Sequence, residues 1–345
     1  MGVLDNSRWG FSGFALATAL VAVACTSPAA ADTPVKFTLD WKFEGPSAPF
    51  VVAIDRGYYK AQGLDVTIDT AGGSLEPINR IASGSYDMGF GDINSLIKFR
   101  DQNPGVAIKA IFMVYNKPAF SIVGRKSRGV LKPTDLEGKK LGAPPTDGAY
   151  AQWPIFVQAN AIDTAKVTIV SVGFPVREPM LASGEVDAIT GFSFSSYINL
   201  KDRGVPADDI TVLLMANYGV DLYGNAILVS PKFAAEKPVV VRAFLRAFLN
   251  GLRETVKNPA AAIDSVLKRN DVVKRDTELE RLNIALKENI LTPEVIAEGY
   301  GGVDAGRLDK AINQIGLTYP FKAKPKPDEA FDASFLPDAA ERKTR

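Results

Sequence analysis

Residues 82–87 read Ala-Ser-Gly-Ser-Tyr-Asp, and residues 182–187 read Ala-Ser-Gly-Glu-Val-Asp. A second pair of matches precedes them in the same order, because Val-Thr-Ile occurs at 66–68 and again at 167–169. Short matches that recur in one order at a nearly constant offset indicate an internal duplication. The sequence therefore predicts two lobes of similar construction.

Strand and helix patterns alternate around the first copy. Strand-like segments at 35–41, 66–68 and 86–90 are separated by helix-like segments at 49–60 and 74–82. This alternation is typical of βαβ units in a largely parallel sheet. We therefore predict an α/β fold.

The sequence after Pro231 has helix-period patterns and no strand pattern. A helical tail without strands must pack on an existing lobe, so the first lobe is predicted to be discontinuous. It would comprise about 34–118 plus 222–340, and the second lobe would comprise 119–221. The two chain crossings between these lobes would form a two-strand hinge.

Composition excludes several kinds of active site. The chain has 345 residues, of which 46% are hydrophobic and 23% charged, and its net charge is +1. So small a net charge gives no electrostatic reason to expect nucleic acid or an acidic membrane as a partner. The sequence has no histidine, which excludes a Ser-His-Asp triad, a His-containing zinc site and His acid-base catalysis. We expect no catalytic residue, no metal and no cofactor.

The first 31 residues have the features of a signal peptide. An apolar run at 13–24 is too short to span a bilayer, and Ala-Ala-Ala at 29–31 supplies a small-residue cleavage pattern. Lipidation of Cys25, the one cysteine, is the less favoured alternative because its context lacks the leucine of a lipoprotein signal. The sequence predicts cleavage near Ala31 and an exported chain.

Loops that follow the predicted strands are the candidate ligand site, because open α/β sheets bind ligands beyond the carboxyl ends of their strands. Small residues in such loops let backbone N–H groups approach a ligand, and aromatic rings supply flat walls. The candidate ligand-binding residues are Asp40, Trp41, Phe43, Glu44, Gly73, Ser74, Asp92, Asn94, Thr146, Tyr150, Phe192, Ser193 and Ser195.

Each candidate also has a purely structural interpretation. Gly73 and Ser74 could form a tight turn and a helix cap, and Asp40 and Asp92 could cap helices. Phe192 could belong to the core. These loops contain no arginine, so an anion would be expected to rest on backbone amides instead of on a buried guanidinium.

Longer motifs are distributed along the whole chain. They include Leu-Asp-Trp at 39–41, Gly-Tyr-Tyr-Lys-Ala-Gln-Gly-Leu-Asp-Val at 57–66, Asp-Leu-Glu-Gly-Lys-Lys-Leu-Gly at 135–142 and Phe-Asp-Ala-Ser-Phe-Leu-Pro at 331–337. The set resembles the nitrate/sulfonate/taurine and thiamine-pyrimidine-precursor (SsuA/ThiY-like) family of periplasmic substrate-binding proteins. The resemblance implies a type II periplasmic binding fold, with a helical C-terminal tail on the first lobe. It also implies a monomer that delivers a small molecule to the permease and ATPase of an ABC importer.

The resemblance leaves the ligand open. One hypothesis is a sulfonate, aromatic acid or other small organic acid, held by helix-start amides and by rings such as Trp41 or Tyr150. The alternative is a pyrimidine or similar heterocycle, stacked on the same two rings and hydrogen-bonded by Asp40, Glu44 or Asp92. A third hypothesis is an enzyme that uses the same cleft. Some relatives build a pyrimidine from a histidine of their own chain, and the lack of histidine argues against that activity here.

Overall fold

The computed structural model describes residues 1–4, 10 and 31–344. The apolar run at 13–24 and Cys25 lie outside the described residues, so the signal peptide stays a prediction. The described part of the chain contains no helix that combines the length and the apolar character needed to cross a bilayer.

Strands within residues 32–344 form two five-stranded sheets. The strands are β1 (Thr33–Thr38), β2 (Leu64–Asp69), β3 (Met88–Asp92), β4 (Lys109–Met113), β5 (Phe120–Arg125), β6 (Lys140–Ala143), β7 (Thr168–Ser171), β8 (Ala188–Phe192), β9 (Ile210–Leu214) and β10 (Asn225–Val229). The first sheet has the order β2-β1-β3-β10-β4, and the second has the order β7-β6-β8-β5-β9. We call the bodies built on these sheets the first lobe and the second lobe.

Both sheets are mixed, whereas the sequence pattern predicted largely parallel sheets. In the first sheet β10 is antiparallel to β3 and β4, and in the second β5 is antiparallel to β8 and β9. Each of these strands is the first one after the chain has crossed from the other sheet. It therefore enters its sheet from the crossing and runs against its neighbours.

Helices cover the faces of both sheets. They are α1 (Ala48–Asp55), α2 (Tyr58–Ala61), α3 (Glu76–Ala82), α4 (Ile93–Gln102), α5 (Gly148–Ala151), α6 (Trp153–Ala159), α7 (Phe174–Ser183), α8 (Ser193–Asp202), α9 (Pro231–Glu236), α10 (Pro238–Lys257), α11 (Pro259–Leu267), α12 (Arg275–Ala285), α13 (Pro293–Glu298), α14 (Ala305–Gly316) and α15 (Pro327–Ala330). The helix predicted at 49–60 is divided into α1 and α2, because Gly57 takes a left-handed φ of 70°. A π-helical turn, Leu286–Ile290, continues α12.

The duplicated hexapeptide forms the same corner in both lobes. In each copy the glycine ends a helix with a left-handed φ, 75° in one copy and 88° in the other. The carboxylate of Asp87 accepts the backbone N–H of Lys36 at 2.8 Å, and that of Asp187 accepts the N–H of Lys140 at 2.9 Å. Each aspartate therefore joins the corner to an interior strand of its sheet, β1 in the first lobe and β6 in the second, so the motif has a structural role.

The helical tail packs on the first sheet. The amphipathic helix α10 places Phe244 against Phe37 of β1, with ring centroids 5.1 Å apart, and Phe248 against Phe50 of α1 at 4.5 Å. All four rings are buried. Burial of each contributes about 2–3 kcal/mol, which fixes the tail to the first lobe.

One arginine joins the two segments in which the chain crosses between the sheets. Arg307 of α14 donates to the carbonyl oxygen of Asn116 on the first crossing at 3.0 Å and to that of Leu222 on the second at 2.9 Å. Its guanidinium also pairs with Glu294 at 2.8 Å. The crossings are therefore held side by side, as a two-strand hinge requires. The residue boundaries predicted for the lobes stay a prediction.

Candidate functional site

A cavity of about 620 Å³, including its open mouth, lies between the two sheets beyond the carboxyl ends of their strands. Segments after β1, β2 and β4 reach it from the first lobe, and segments after β6, β7 and β8 reach it from the second. The lining residues are Leu39, Asp40, Trp41, Lys42, Glu44, Pro46, Ser47, Phe50, Gly73, Ser74, Phe90, Tyr115, Asp147, Phe174, Arg177, Phe192, Phe194 and Ser195.

Part of the predicted site lines this cavity. The candidates found in its wall are Asp40, Trp41, Glu44, Gly73, Ser74, Phe192 and Ser195. The candidates not found there are Phe43, Asp92, Asn94, Thr146, Tyr150 and Ser193. Contact between any of them and a ligand stays a prediction.

Asp92 caps a helix, which is the purely structural role that the sequence also allowed for it. Its buried carboxylate accepts the backbone N–H groups of Asn94 at 3.0 Å and Ser95 at 2.9 Å, at the first turn of α4. The amide of Gln152, from the second lobe, donates to it at 3.1 Å. Burial raises the pKa of Asp92, which these hydrogen bonds oppose. Its acceptor oxygens are therefore occupied by protein donors.

Three more of the candidates outside the wall have other packing. Phe43 contacts the hydrophobic core of the first lobe, and Tyr150 contacts the core that continues into the second. The hydroxyl of Thr146 donates to the carbonyl of Gly72 at 3.2 Å. Because these two residues come from different lobes, Thr146 contributes to the contact between the lobes.

Aromatic rings form most of the apolar wall. Trp41 follows β1, and its ring meets Phe174 of the second lobe edge-on with centroids 4.8 Å apart. Tyr115 and Phe192 form a second edge-on pair across the lobes, at 6.4 Å. Flat walls contributed by both lobes suit a planar ligand that closes the gap between them.

The Trp41 indole N–H is buried. It has no hydrogen-bond partner among the described residues, although it lies near enough to Glu44 to lower the pKa of that carboxyl. A buried donor left unsatisfied costs about 1–3 kcal/mol. This N–H can therefore donate either to the neighbouring Glu44 carboxylate or to an acceptor atom on a ligand.

Carboxylates dominate the polar wall. Asp40, Glu44 and Asp147 line the cavity together with the cations Lys42 and Arg177. Burial raises the pKa of Asp40 to about 7, and the neighbouring Glu44 adds to the rise. The amide of Asn225 donates to Asp40 at 2.7 Å and opposes it.

The other two carboxyls are buried as well. Burial raises the pKa of Glu44, and Arg281 opposes that rise. Burial also raises the pKa of Asp147, against the charge of Arg177. Acceptor oxygens in such surroundings gain from a ligand that brings N–H donors or positive charge.

Arg177 is not among the candidate ligand-binding residues, although it is the arginine nearest to the loops that hold them. No buried arginine was expected, yet Arg177 is only 3% exposed and reaches the cavity wall. Arg177 lies on the first turn of α7, which follows β7. The candidates were taken from the loops predicted after the strands, which do not extend one helical turn further. The Arg177 guanidinium lies 2.6 Å from Glu178 and 3.8 Å from Asp147, so its charge is already balanced by the protein.

We expect Arg177→Ala to lower the free energy of unfolding by about 3 kcal/mol, because it leaves two buried carboxylates unpaired. Chemical denaturation at pH 7 measures the change. The control is Arg203→Ala, since Arg203 is exposed and its guanidinium, within the described residues, donates only to the carbonyl of Asn199. Equal stabilities for the two variants would contradict the assigned ion pairs.

The chain is similar to curated proteins that include both a binding protein and a synthase. A formylaminopyrimidine-binding protein of Halalkalibacterium halodurans is 29% identical over 296 residues, covering 81% of this chain and 84% of the relative. A 4-amino-5-hydroxymethyl-2-methylpyrimidine phosphate synthase of Schizosaccharomyces pombe is 24% identical, covering 65% of this chain and 66% of the relative.

Comparison of structures tests the fold. The alkanesulfonate-binding protein of Xanthomonas axonopodis pv. citri bound to MOPS superposes with a TM-score of 0.66 at 14% identity, covering 87% of this chain and 96% of that structure. The predicted α/β periplasmic-binding-protein fold is thereby confirmed. The model of the family described as NMT1/THI5 like matches residues 45–262. The chain therefore belongs to the NMT1/THI5-like family, in agreement with the resemblance seen in its motifs.

Proposed function

We propose that the cavity binds a flat nitrogen heterocycle with exposed N–H donors, such as an amino-substituted pyrimidine. The chain is a substrate-binding protein of the kind that serves ABC importers, and this part of the predicted function is confirmed. The ligand class is the part that the following observations support.

The observation that carries the proposal is the pair of carboxyls beside Trp41. Asp40 and Glu44 both line the cavity on the first lobe, and each has its pKa raised by burial. Amino and ring N–H groups would donate to them, while the ring stacks on the aromatic wall. The formylaminopyrimidine-binding relative is named for a ligand of this chemistry.

The organic-acid hypothesis is the second candidate, and Arg177 is the observation that favours it. Two of its donors, Nε and Nη2, are already used by Glu178 at 3.0 and 2.6 Å. An anion in the cavity would also face the carboxyls of Asp40, Glu44 and Asp147. The charges of the wall therefore favour the heterocycle.

We propose binding without turnover. The chain lacks the histidine from which some relatives make their pyrimidine. Binding would proceed by closure of the lobes about the two crossings, since the wall takes residues from both lobes. The protein would act as a monomer in the periplasm and pass its ligand to a permease coupled to an ATPase.

A ligand screen tests the proposal. Protein freed of ligand by unfolding and refolding is heated with aminopyrimidines, aromatic carboxylates and alkanesulfonates in parallel. A ligand at 100 times its Kd adds about 2.7 kcal/mol of stability, so true ligands shift the melting temperature clearly. We expect the aminopyrimidines to give the largest shift. Response to sulfonates or carboxylates alone would refute the ligand class, and chemical conversion of a bound compound would refute binding without turnover.

A further inference from the structure

Helix α12 lies against both lobes. On one side Leu282 and Ala285 belong to the hydrophobic core of the first lobe. On the same side Glu278 accepts the backbone N–H of Gly45 at 2.5 Å. A Cβ atom on Gly45 would lie 2.3 Å from the Glu278 carbonyl oxygen, so only glycine permits this close packing. The helix is therefore a fixed part of the first lobe.

The other side of α12 faces α8 of the second lobe. Arg281 is 2% exposed and donates to the carbonyl of Ser195 at 3.3 Å and to the side chain of Asn199 at 3.1 Å. The same guanidinium lies 3.5 Å from the Glu44 carboxylate. Glu44 and Ser195 line the cavity from different lobes. Because α12 belongs to the first lobe, separation of the lobes must break the contacts of Arg281 with Ser195 and Asn199.

A second pair joins the same two helices away from the cavity. The ammonium of Lys201 on α8 lies 2.5 Å from the carboxylate of Glu280 on α12. Both side chains are partly exposed, and neither lines the cavity. Next to them the hydroxyl of Thr277 donates to Asp202 at 3.5 Å. We call the contacts made by Arg281, Glu280 and Thr277 with α8 the α8–α12 seam.

We propose that the α8–α12 seam stabilises the closed arrangement of the lobes and so sets ligand affinity from outside the cavity. A ligand that needs both lobes binds only the closed form, and its apparent affinity falls with the population of that form. Arg281 is the positioning residue, because it connects the seam to Glu44. The inference rests on the proposed function only in taking the cavity as the ligand site.

Charge reversal at the exposed pair tests the seam without touching the cavity. Glu280→Lys and Lys201→Glu each place like charges together, whereas the double variant restores an opposite-charge pair. We expect each single variant to weaken binding of the probe 4-amino-2-methylpyrimidine by about three- to tenfold, and the double variant to recover to within about twofold. Arg281 is not the first target, because its loss leaves the buried Glu44 and Glu278 unpaired.

A matched control pair lies within one lobe. Lys166 and Glu137 form a partly exposed ion pair at 3.1 Å, and both belong to the second lobe. Reversing either charge there should leave probe affinity unchanged within about twofold. An equal loss of affinity for the control and seam variants would show a general charge effect and overturn the inference.

A second readout needs no ligand. Spin labels are placed on cysteines at Val239 of the first lobe and Leu131 of the second, both exposed, with Cys25 replaced by serine. Pulsed electron spin measurements should show an additional distance population in Glu280→Lys that disappears in the double variant. Unchanged distances in all three seam variants would overturn the inference. Changed distances without binding of the probe would leave the seam standing and refute the proposed ligand instead.

Discussion

Trp41→Ala is expected to weaken ligand binding by at least about thirtyfold and to leave the free energy of unfolding nearly unchanged. Trp41 follows β1, is only half-buried and forms the cross-lobe contact with Phe174. The variant removes a stacking surface, a buried N–H donor and an aromatic contact that exists only between the lobes. Titration calorimetry with an aminopyrimidine, beside thermal unfolding without ligand, measures both quantities.

Trp153 supplies the matched control. It is 7% exposed and packs on Phe156 with ring centroids 6.1 Å apart, away from the cavity wall. Trp153→Ala should lower the free energy of unfolding by about 3–5 kcal/mol and leave the affinity of the folded protein unchanged. The two tryptophans should thus show opposite effects. If Trp41→Ala retained binding and lost stability instead, Trp41 would be a core residue.

Local patterns in the sequence were sufficient for much of the fold. β2 contains the strand segment predicted at 66–68, and the apolar spacing of the tail predicts α10, because each depends on residues close in the chain. The duplicated hexapeptide predicts two similar lobes, since a helix end followed by a strand start is also a local feature. The mixed sheets were not predicted. Strand direction depends on where the chain re-enters a sheet, which is a property of the whole path.

The site was predicted less completely, for a physical reason. Asp40 follows β1 and Asp92 is the last residue of β3, but the Asp92 carboxylate turns to the N-terminus of α4 and meets Gln152 from the other lobe. The Asp40 carboxylate instead meets the single amide of Asn225 and faces the cavity. No local pattern distinguishes the two. The position of Arg177 depends likewise on how α7 turns its first residues toward the cleft. Glu44 was among the candidates, but its ion pair with Arg281, far along the chain, was not predicted.

Burial of the Asp40 carboxyl predicts that binding of the proposed heterocycle depends on pH. Burial and the neighbouring Glu44 raise the pKa of Asp40, whereas a backbone hydrogen bond and the amide of Asn225 lower it, and the resulting pKa is about 7. A ligand that donates N–H groups prefers the ionised carboxylate, so affinity should rise with pH and level off above 7. Below 7 it should fall by up to about tenfold per pH unit, for a ligand that does not itself titrate. An anionic ligand would show the opposite slope.

Asp40→Asn should flatten this pH profile and weaken binding about a hundredfold at pH 8, because an amide cannot replace a charged acceptor facing N–H donors.

Stability should change in the other direction. Asp40 in the folded protein holds its proton up to about pH 7, whereas the ordinary pKa of an aspartate is 3.8. The stabilisation from this proton is complete below about pH 4 and is lost as pH rises through about 7. Asp40→Asn should therefore stabilise the protein at pH 8 by about 1–2 kcal/mol, allowing for solvent at the cavity mouth, and have little effect at pH 4. Asp271→Asn, at an exposed position, should change neither quantity. An Asp40→Asn variant that is destabilised at pH 8 and keeps its affinity would show that the carboxylate supports the fold and does not contact the ligand.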